Sequence, residues 1–265
     1  MRRPLVAVTR HEAPDHPLGL TLARGGVDVA WLPTTAILPP LDAAPLDAAL
    51  ARIHEMDWLV FTSGHGVDGL CSRPAWEEAW AAAPARPRVA AVGERTGEHL
   101  VSRGLRVDVV PDSPGASGLV AAIVAGEGGT LGGRRVLWPR SDIARPELKD
   151  GLAGAGASVF DPVAYRTVAA APADVEWFRA ALVDGGVDAV CFLSPSAASG
   201  LVASLGSADL AGLHGRLLVA SLGPTTSEAL TRLGAPPDVE ASPATAERLA
   251  EALLARLSVL QGASR

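Results

Sequence analysis

Short runs of consecutive apolar residues recur along this chain. Each is followed by small or polar residues and then by a segment of helical spacing. Val6–Val8, Trp58–Phe61, Val89–Val92, Val136–Trp138, Ala189–Leu193 and Leu217–Leu222 are the clearest of these runs. They lack polar alternation and so predict strands covered on both faces, as in parallel sheets. The segments between them predict helices. Thr226, Ala229, Leu230 and Leu233 share one face, with Gly234 placed to end the helix, and Gly104 holds the matching place earlier. Leu249, Ala252, Leu253 and Leu257 form the apolar stripe of a last helix. Strand–helix alternation throughout predicts an α/β protein with parallel sheets.

The pattern repeats at an offset of about 130 positions, the signature of an internal duplication. Val6–Arg10 parallels Val136–Arg140, Gly26 parallels Gly156, and Phe61-Thr62-Ser63 parallels Phe192-Leu193-Ser194. Val92-Gly93 parallels Leu222-Gly223, and Thr96, Leu100 and Gly104 parallel Thr226, Leu230 and Gly234. Ser113-Pro114 parallels Ser242-Pro243. Two copies of one unit predict two similar lobes, each a parallel sheet flanked by helices, with a cleft between them. Ligands of open α/β sheets bind beyond the carboxyl ends of the strands, so the residues just past each run are the candidates for function.

Those residues are hydroxyls, glycines and arginines. Thr62-Ser63-Gly64-His65 follow one run, and Gly93-Glu94-Arg95-Thr96 another. Ser194-Pro195-Ser196 and Gly223-Pro224-Thr225-Thr226 follow their counterparts, while Thr9-Arg10 and Pro139-Arg140-Ser141-Asp142 complete the set. Each turn is expected to open a helix, whose first N–H groups and positive dipole end attract anions. Ser and Thr add donors, and Arg10, Arg140 and Arg145 add paired donors suited to carboxylates. The same Ser and Thr residues are also ordinary N-caps, and both readings stand at this stage. His65, in a strand-end turn, is a further candidate contact, whereas His11 and His16 read as surface residues.

Composition narrows the function. With 23 Lys and Arg against 29 Asp and Glu the net charge is −6, which disfavours a nucleic-acid partner. Cys71 and Cys191 are too far apart for a CxxC motif and read as reduced, buried thiols. The basic opening Met1-Arg2-Arg3 precedes an apolar run too short for a signal peptide, and no apolar stretch is long enough to span a bilayer, so a cytoplasmic protein is expected. No nucleotide-binding, zinc-protease or serine-hydrolase motif is present, and no metal or cofactor is expected.

Taken in order, Val8-Thr9-Arg10, Val29–Pro33, Trp58–Ser63, Ala91–Thr96, Val163–Thr167, Phe192–Ser196 and Leu222–Thr226 give a chain that resembles the uroporphyrinogen-III synthase family along nearly its whole length. Two turns depart from the family pattern, at His65 and at Arg140–Ile143. The resemblance implies interlocked lobes. Residues 1–33 would pack with 168–265, residues 36–165 would form the second lobe, and a two-stranded hinge would run near 34–35 and 166–167. It implies a monomer acting on hydroxymethylbilane received from hydroxymethylbilane synthase, with loss of water and inversion of ring D. Arg10, Thr62, Ser63, Gly64, Gly93, Thr96, Arg140, Ser141, Ser194, Ser196, Gly223, Thr225 and Thr226 would hold the substrate. Tyr165, the only tyrosine, would donate a proton to the departing hydroxyl; a packing role at the hinge is the other reading. The competing function is a non-catalytic two-lobed anion-binding or sensor module.

Overall fold

The computed structural model describes residues 2–11, 13, 15–113, 115–206, 212–213 and 215–263; Pro114, paired above with Pro243, lies outside them. In chain order the elements are β1 (Leu5–Val8), α1 (Pro17–Arg24), β2 (Asp28–Trp31), β3 (Thr35–Leu38), α2 (Ala44–Ala51), β4 (Trp58–Phe61), α3 (Gly64–Cys71) and α4 (Trp76–Ala82). Then come β5 (Arg88–Ala91), α5 (Glu94–Ser102), α6 (Ala116–Gly126), β6 (Arg135–Leu137), β7 (Arg140–Ser141), α7 (Glu147–Gly154), β8 (Ser158–Phe160) and β9 (Val163–Ala169). The last are α8 (Pro172–Val183), β10 (Ala189–Phe192), α9 (Pro195–Leu205), β11 (Leu218–Ser221), α10 (Pro224–Arg232), β12 (Val239–Glu240) and α11 (Ala246–Ala263).

The chain divides into two compact units, Met1–Ala36 with Val168–Arg265, and Ile37–Thr167. The first holds a five-stranded sheet in the order β12-β11-β10-β1-β2, with every pair parallel. The second holds a four-stranded parallel sheet, β5-β4-β6-β8, with one more parallel bridge from Ala90 to Val109. The repeat maps one sheet onto the other strand for strand: β11 on β5, β10 on β4, β1 on β6, and β2 on β8. The two copies have therefore exchanged parts. Each unit takes the first two strands of one copy and the later strands of the other. A third sheet, β3-β9-β7, contains both segments at which the chain passes from one unit to the other.

Alternation along the strands shows why each sheet is covered on both faces. In the first unit Val6, Val8, Ala189, Cys191, Leu218 and Ala220 pack towards α1 and α11. Their neighbours Ala7, Val190, Phe192 and Val219 pack towards α8, α9 and α10. In the second unit Leu59, Phe61, Val89 and Ala91 meet α2 to α5, and Trp58, Val60, Ala90 and Val136 meet α6 and α7. Complete burial of each large apolar side chain stabilises by about 1.5–3 kcal/mol, so side chains facing both ways hold these strands in the sheet interior. Along α11 the buried stripe is Leu249, Ala250, Leu253 and Leu257, and Ala252 lies only partly buried.

Aspartates fix the opposite ends of the strands by a device used twice in each unit. Asp188 donates its N–H to the Leu5 carbonyl (2.9 Å) and accepts the Leu5 N–H through its carboxylate (2.7 Å). Asp57 forms the same reciprocal pair with Arg135 (2.9 and 2.8 Å). Asp108 does so with Val89 (2.8 and 2.9 Å), and Asp238 with Val219 (2.7 and 2.8 Å). A short acceptor here occupies a strand N–H that would otherwise be left without a partner.

Candidate functional site

Within each unit the predicted residues gather at the carboxyl ends of adjacent parallel strands. In the first, Arg10 lies beyond β1, Ser194 and Ser196 beyond β10, and Gly223, Thr225 and Thr226 beyond β11. In the second, Thr62, Ser63 and Gly64 follow β4, Gly93 and Thr96 follow β5, and Arg140 and Ser141 lie past β6.

Four of the six turns open helices as expected. Ser63 caps α3, its Oγ accepting the Gly66 N–H (3.1 Å), and Ser194 caps α9, accepting the Ala197 N–H (3.2 Å). Gly93 and Gly223 stand at the N-caps of α5 and α10 in extended backbone. The other two turns do not open helices. After β1 the next helix begins only at Pro17, and Arg140-Ser141 form β7, paired with β9. The reason is local. Thr9 is held as an extension of the strand, both its N–H and its Oγ donating to the Cys191 carbonyl (3.0 and 2.8 Å), and Arg140 donates its N–H to Pro162 (3.1 Å).

The capping reading is thus correct for Ser63 and Ser194, and both hydroxyls do more. Ser63 Oγ is hydrogen-bonded to the Tyr165 hydroxyl (2.9 Å), and Ser194 Oγ to Ser196 Oγ (3.0 Å). Thr96 and Thr226 are 8% and 5% exposed, with their N–H groups given to the Gly93 and Gly223 carbonyls, whereas Thr225 is exposed. Thr62 accepts from the Trp138 indole N–H (3.2 Å). Ser141 is buried, and its hydroxyl reaches Asp142 (3.1 Å) and Thr167 (3.4 Å). Arg140 is committed within the unit, its Nε donating to Asp161 (2.8 Å) and its Nη1 to the Ser141 carbonyl (2.9 Å). Asp161 also accepts from Lys149 (2.9 Å). Burial works to raise the Asp161 pKa, but the hydrogen bonds from Lys149 and Arg140 outweigh it and hold the carboxyl below its ordinary value.

Two cavities in the second unit collect predicted residues. One of about 650 Å³ is lined by Ser63, Gly64 and Thr96 together with His65, Asp68 and His99. Another, of about 510 Å³, includes Thr62, Ser141, Trp138, Arg145 and Tyr165. The His65 ring packs against Tyr165, with centroids 5.5 Å apart, so the Ser63–Tyr165 bond lies between the two cavities. A cavity of about 590 Å³ in the first unit lies at the other ends of the strands, against Arg2, Asp188 and Asp238, and none of the predicted residues lines it.

Sequence reasoning missed the pair His99 and Asp68. His99 Nε2 lies 2.9 Å from Asp68 Oδ1, and Arg103 forms an ion pair with the same carboxylate. Burial raises the Asp68 pKa, yet the hydrogen bonds from His99 and Arg103 bring it below the usual value. The His99 ring lies over the start of α3, where a Cβ on Gly64 would come within 3.3 Å of it. The two residues are 31 positions apart and share no motif. The usable signal was the duplication, which puts Ala229 and Ser199 at the equivalent places. Cys71 and Cys191 are free thiols pushed up to about 12 by burial, so neither supplies a thiolate near neutral pH. Among the described residues no helix is long and apolar enough to cross a membrane.

Comparison with known proteins bears on the family and the fold. The sequence model of the family described as uroporphyrinogen-III synthase HemD matches residues 18–251. A uroporphyrinogen-III synthase of Synechococcus elongatus is 29% identical over 251 residues, covering 92% of each chain. Among solved structures, a mutant uroporphyrinogen III synthase of Thermus thermophilus superposes with a TM-score of 0.63 at 21% identity, covering 98% of this chain and 99% of its own. The uroporphyrinogen-III synthetase of Helicobacter pylori gives 0.61 at 16% identity over 96% and 99%. At those identities the two structures speak for the fold alone.

Proposed function

We propose a function from one premise: this chain belongs to the uroporphyrinogen-III synthase family, whose model matches residues 18–251. Our reading is that it is a cytoplasmic lyase that converts hydroxymethylbilane, received from hydroxymethylbilane synthase, into uroporphyrinogen III with loss of water and inversion of ring D. The supporting observation is the recurrence, at equivalent places in both units, of strand-end turns that join a hydroxyl or glycine N-cap to a helix N-terminus. Free N–H groups at such a terminus take a carboxylate oxygen without a compensating cation. Ser63, Gly64, Gly93, Ser194, Ser196, Gly223 and Thr225 offer that chemistry most directly.

Three assignments carry a physical condition. Thr96 and Thr226, being buried, serve by holding the turn rather than by offering a hydroxyl. Arg140 reaches a substrate carboxylate only by sharing or leaving Asp161. Thr62, Ser141 and Arg10 complete the proposed set.

The chemical step needs geometry above all. Holding a flexible tetrapyrrole by many carboxylates directs the reactive carbon to one of two ring positions. Tyr165 is the proposed proton donor to the departing hydroxyl. Ser63 Oγ already accepts from Gly66. If it gives its own proton to the Tyr165 oxygen, the phenol proton is left for the substrate. A phenol of pKa about 10 makes a modest acid. The test is direct. Freshly generated hydroxymethylbilane is supplied, the products are oxidised, and the uroporphyrin isomers are separated by chromatography. Enrichment of isomer III over the enzyme-free mixture is expected; an unchanged isomer ratio defeats the proposal and favours a binding module.

A further inference from the structure

The duplication supplies an internal control for every residue of the strand-end turns. Where folding alone dictates a residue, both copies keep it: Ser63 and Ser194 cap, and Gly69 and Gly200 lie against backbone. Elsewhere the copies differ, and four of the differing positions of the second unit carry acid–base groups. Tyr165 stands opposite Thr35, His65 opposite Ser196, His99 opposite Ala229, and Asp68 opposite Ser199. The helix pair α9 and α10 packs with Ala229 and Ser199, so packing of α3 against α5 does not require an imidazole and a carboxylate. Three of these four line one cavity.

We infer that His99, held in one orientation by Asp68, accepts the proton that must leave the attacked pyrrole carbon when the macrocycle closes. The inference rests on the synthase reading above. The proton count requires such a group. A donor protonates the hydroxyl oxygen, the C–O bond breaks with its electron pair on oxygen, and water leaves. The pyrrole nitrogen lone pair forms the exocyclic double bond of the resulting cation. The substituted carbon of ring D bonds to that cation, the bond from this carbon to its original bridging carbon breaks to leave a second such cation, and the unsubstituted carbon of the inverted ring bonds to that. The attacked ring stays positively charged until its C–H proton departs and the C–H electrons restore aromaticity. One proton is given and one collected. A neutral His99 with its Nε2–H donated to Asp68 presents Nδ1 as the acceptor. The imidazolium then formed faces the Asp68 carboxylate and lies in the last turn of α5, where the helix dipole favours a cation.

Other charged groups surround it. His65 lies on α3, Arg95 and Glu98 lie on α5, and Arg103 caps its carboxyl end; Arg103 shares Asp68 and moderates its support of the imidazolium. The variants that test the inference are those the first unit already contains at the equivalent places, His99→Ala and Asp68→Ser. Isomer III formation is followed against pH with both. In the unaltered protein kcat should fall on the acid side as the acceptor becomes protonated. His99→Ala should lower kcat by about 100-fold with little change in KM, abolish that acid limb, and regain rate when imidazole is added. Asp68→Ser should lower kcat with little change in KM.

An unchanged kcat and limb in folded His99→Ala would overturn the inference. So would a rise in KM alone, or a rate loss that keeps the limb and ignores imidazole. If His99→Ala did not fold, Asp68→Ser would decide, and an unchanged kcat in that variant would overturn the inference. An unaltered protein that makes no isomer III would overturn the synthase reading itself, and this inference with it.

Discussion

Gly200→Ala tests whether the fold rests on contacts that a single methyl would break. Gly200 lies inside α9, and a Cβ built there would stand 2.1 Å from the Thr34 carbonyl oxygen, and 2.9 Å from both the Thr34 carbonyl carbon and Thr35 Cγ2. Non-bonded carbon contacts are comfortable at about 3.5–4.0 Å, so α9 and the backbone at Thr34 must separate by more than about 1 Å. The far side of α9 gives no room, because Ala197, Ala198, Leu201 and Leu205 are buried in a close-packed core. Overpacking of this kind costs about 1–3 kcal/mol, and a clash with backbone belongs at the upper end. Replacing Gly in a helix returns about 1 kcal/mol through propensity, leaving a net loss of about 2 kcal/mol.

At about 2–4 °C per kcal/mol for a chain of this size, the Tm followed by circular dichroism should fall by about 4–8 °C. Gly69→Ala, whose Cβ would sit 2.6 Å from the Ala164 carbonyl oxygen at the equivalent place in the second unit, should fall less. Gly154→Ala in α7 is the control: nothing lies within 4 Å of its built Cβ, and it should gain about 0.4–1 kcal/mol. A Gly200→Ala protein melting with the unaltered one, or a Gly154→Ala protein losing as much, would refute the reasoning.

Three further outcomes are expected. Asp238→Ala removes the acceptor of the Val219 N–H and should cost about 1–3 kcal/mol, read by urea denaturation; an unchanged midpoint would deny these carboxylates a structural part. Asp161 has a folded pKa below its unfolded one, so its contribution is present above about pH 4 and fades as pH falls through that value towards the folded one. Asp161→Asn should therefore melt lower than the unaltered protein at neutral pH, with the gap closing on acidification; a constant gap would contradict the linkage. Tyr165→Phe deletes one partner of the Ser63 bond and should reduce isomer III formation by about 10- to 100-fold while the protein stays folded; unchanged turnover would take Tyr165 out of the chemistry.

The strands β1, β4, β5, β6, β10 and β11 were legible in the sequence because both faces of each sheet are covered, whereas β2, β3, β7, β8, β9 and β12 lie outside the clearest apolar runs. Runs such as Trp58–Phe61 and Ala189–Phe192 carry no polar residue, and the helix stops at Gly104 and Gly234 are marked by backbone conformation, with φ of +76° and +80°. The duplication was legible as well. Hydrophobic periodicity, however, says nothing about which strand pairs with which, so the exchange of β1 and β2 for their counterparts β6 and β8 had no signal in the pattern itself. The conformation after β1 and β6 escapes the pattern for a related reason. Thr9 and Arg140 look like the other strand-end residues, but partners far away in sequence, Cys191 and Pro162, hold them extended. Asp68 and His99 meet only because α3 and α5 follow adjacent parallel strands.

Sameness between the copies and function are therefore not the same signal. Of the residues that first suggested a ligand site, Arg10 and Arg140, Ser63 and Ser194, Gly93 and Gly223, and Thr96 and Thr226 are kept in both halves, yet the kept ones are the easiest to explain by folding alone. Ser63 and Ser194 fill N-caps, and Thr96 and Thr226 are buried beside their glycines. Asp57 and Asp188 complete strand pairing. A duplicated fold must satisfy the same backbone groups twice, and it does so with the same side chains. The asymmetry is a separate signal, because the equivalent helices α9 and α10 pack together without the acid–base groups of α3 and α5. A phenol, two imidazoles and a carboxylate stand in one unit where the other has Thr35, Ser196, Ala229 and Ser199. On the synthase reading, a reaction that gives one proton and takes another has a use for these four groups, and the isomer assay on His99→Ala and Tyr165→Phe decides whether they serve it.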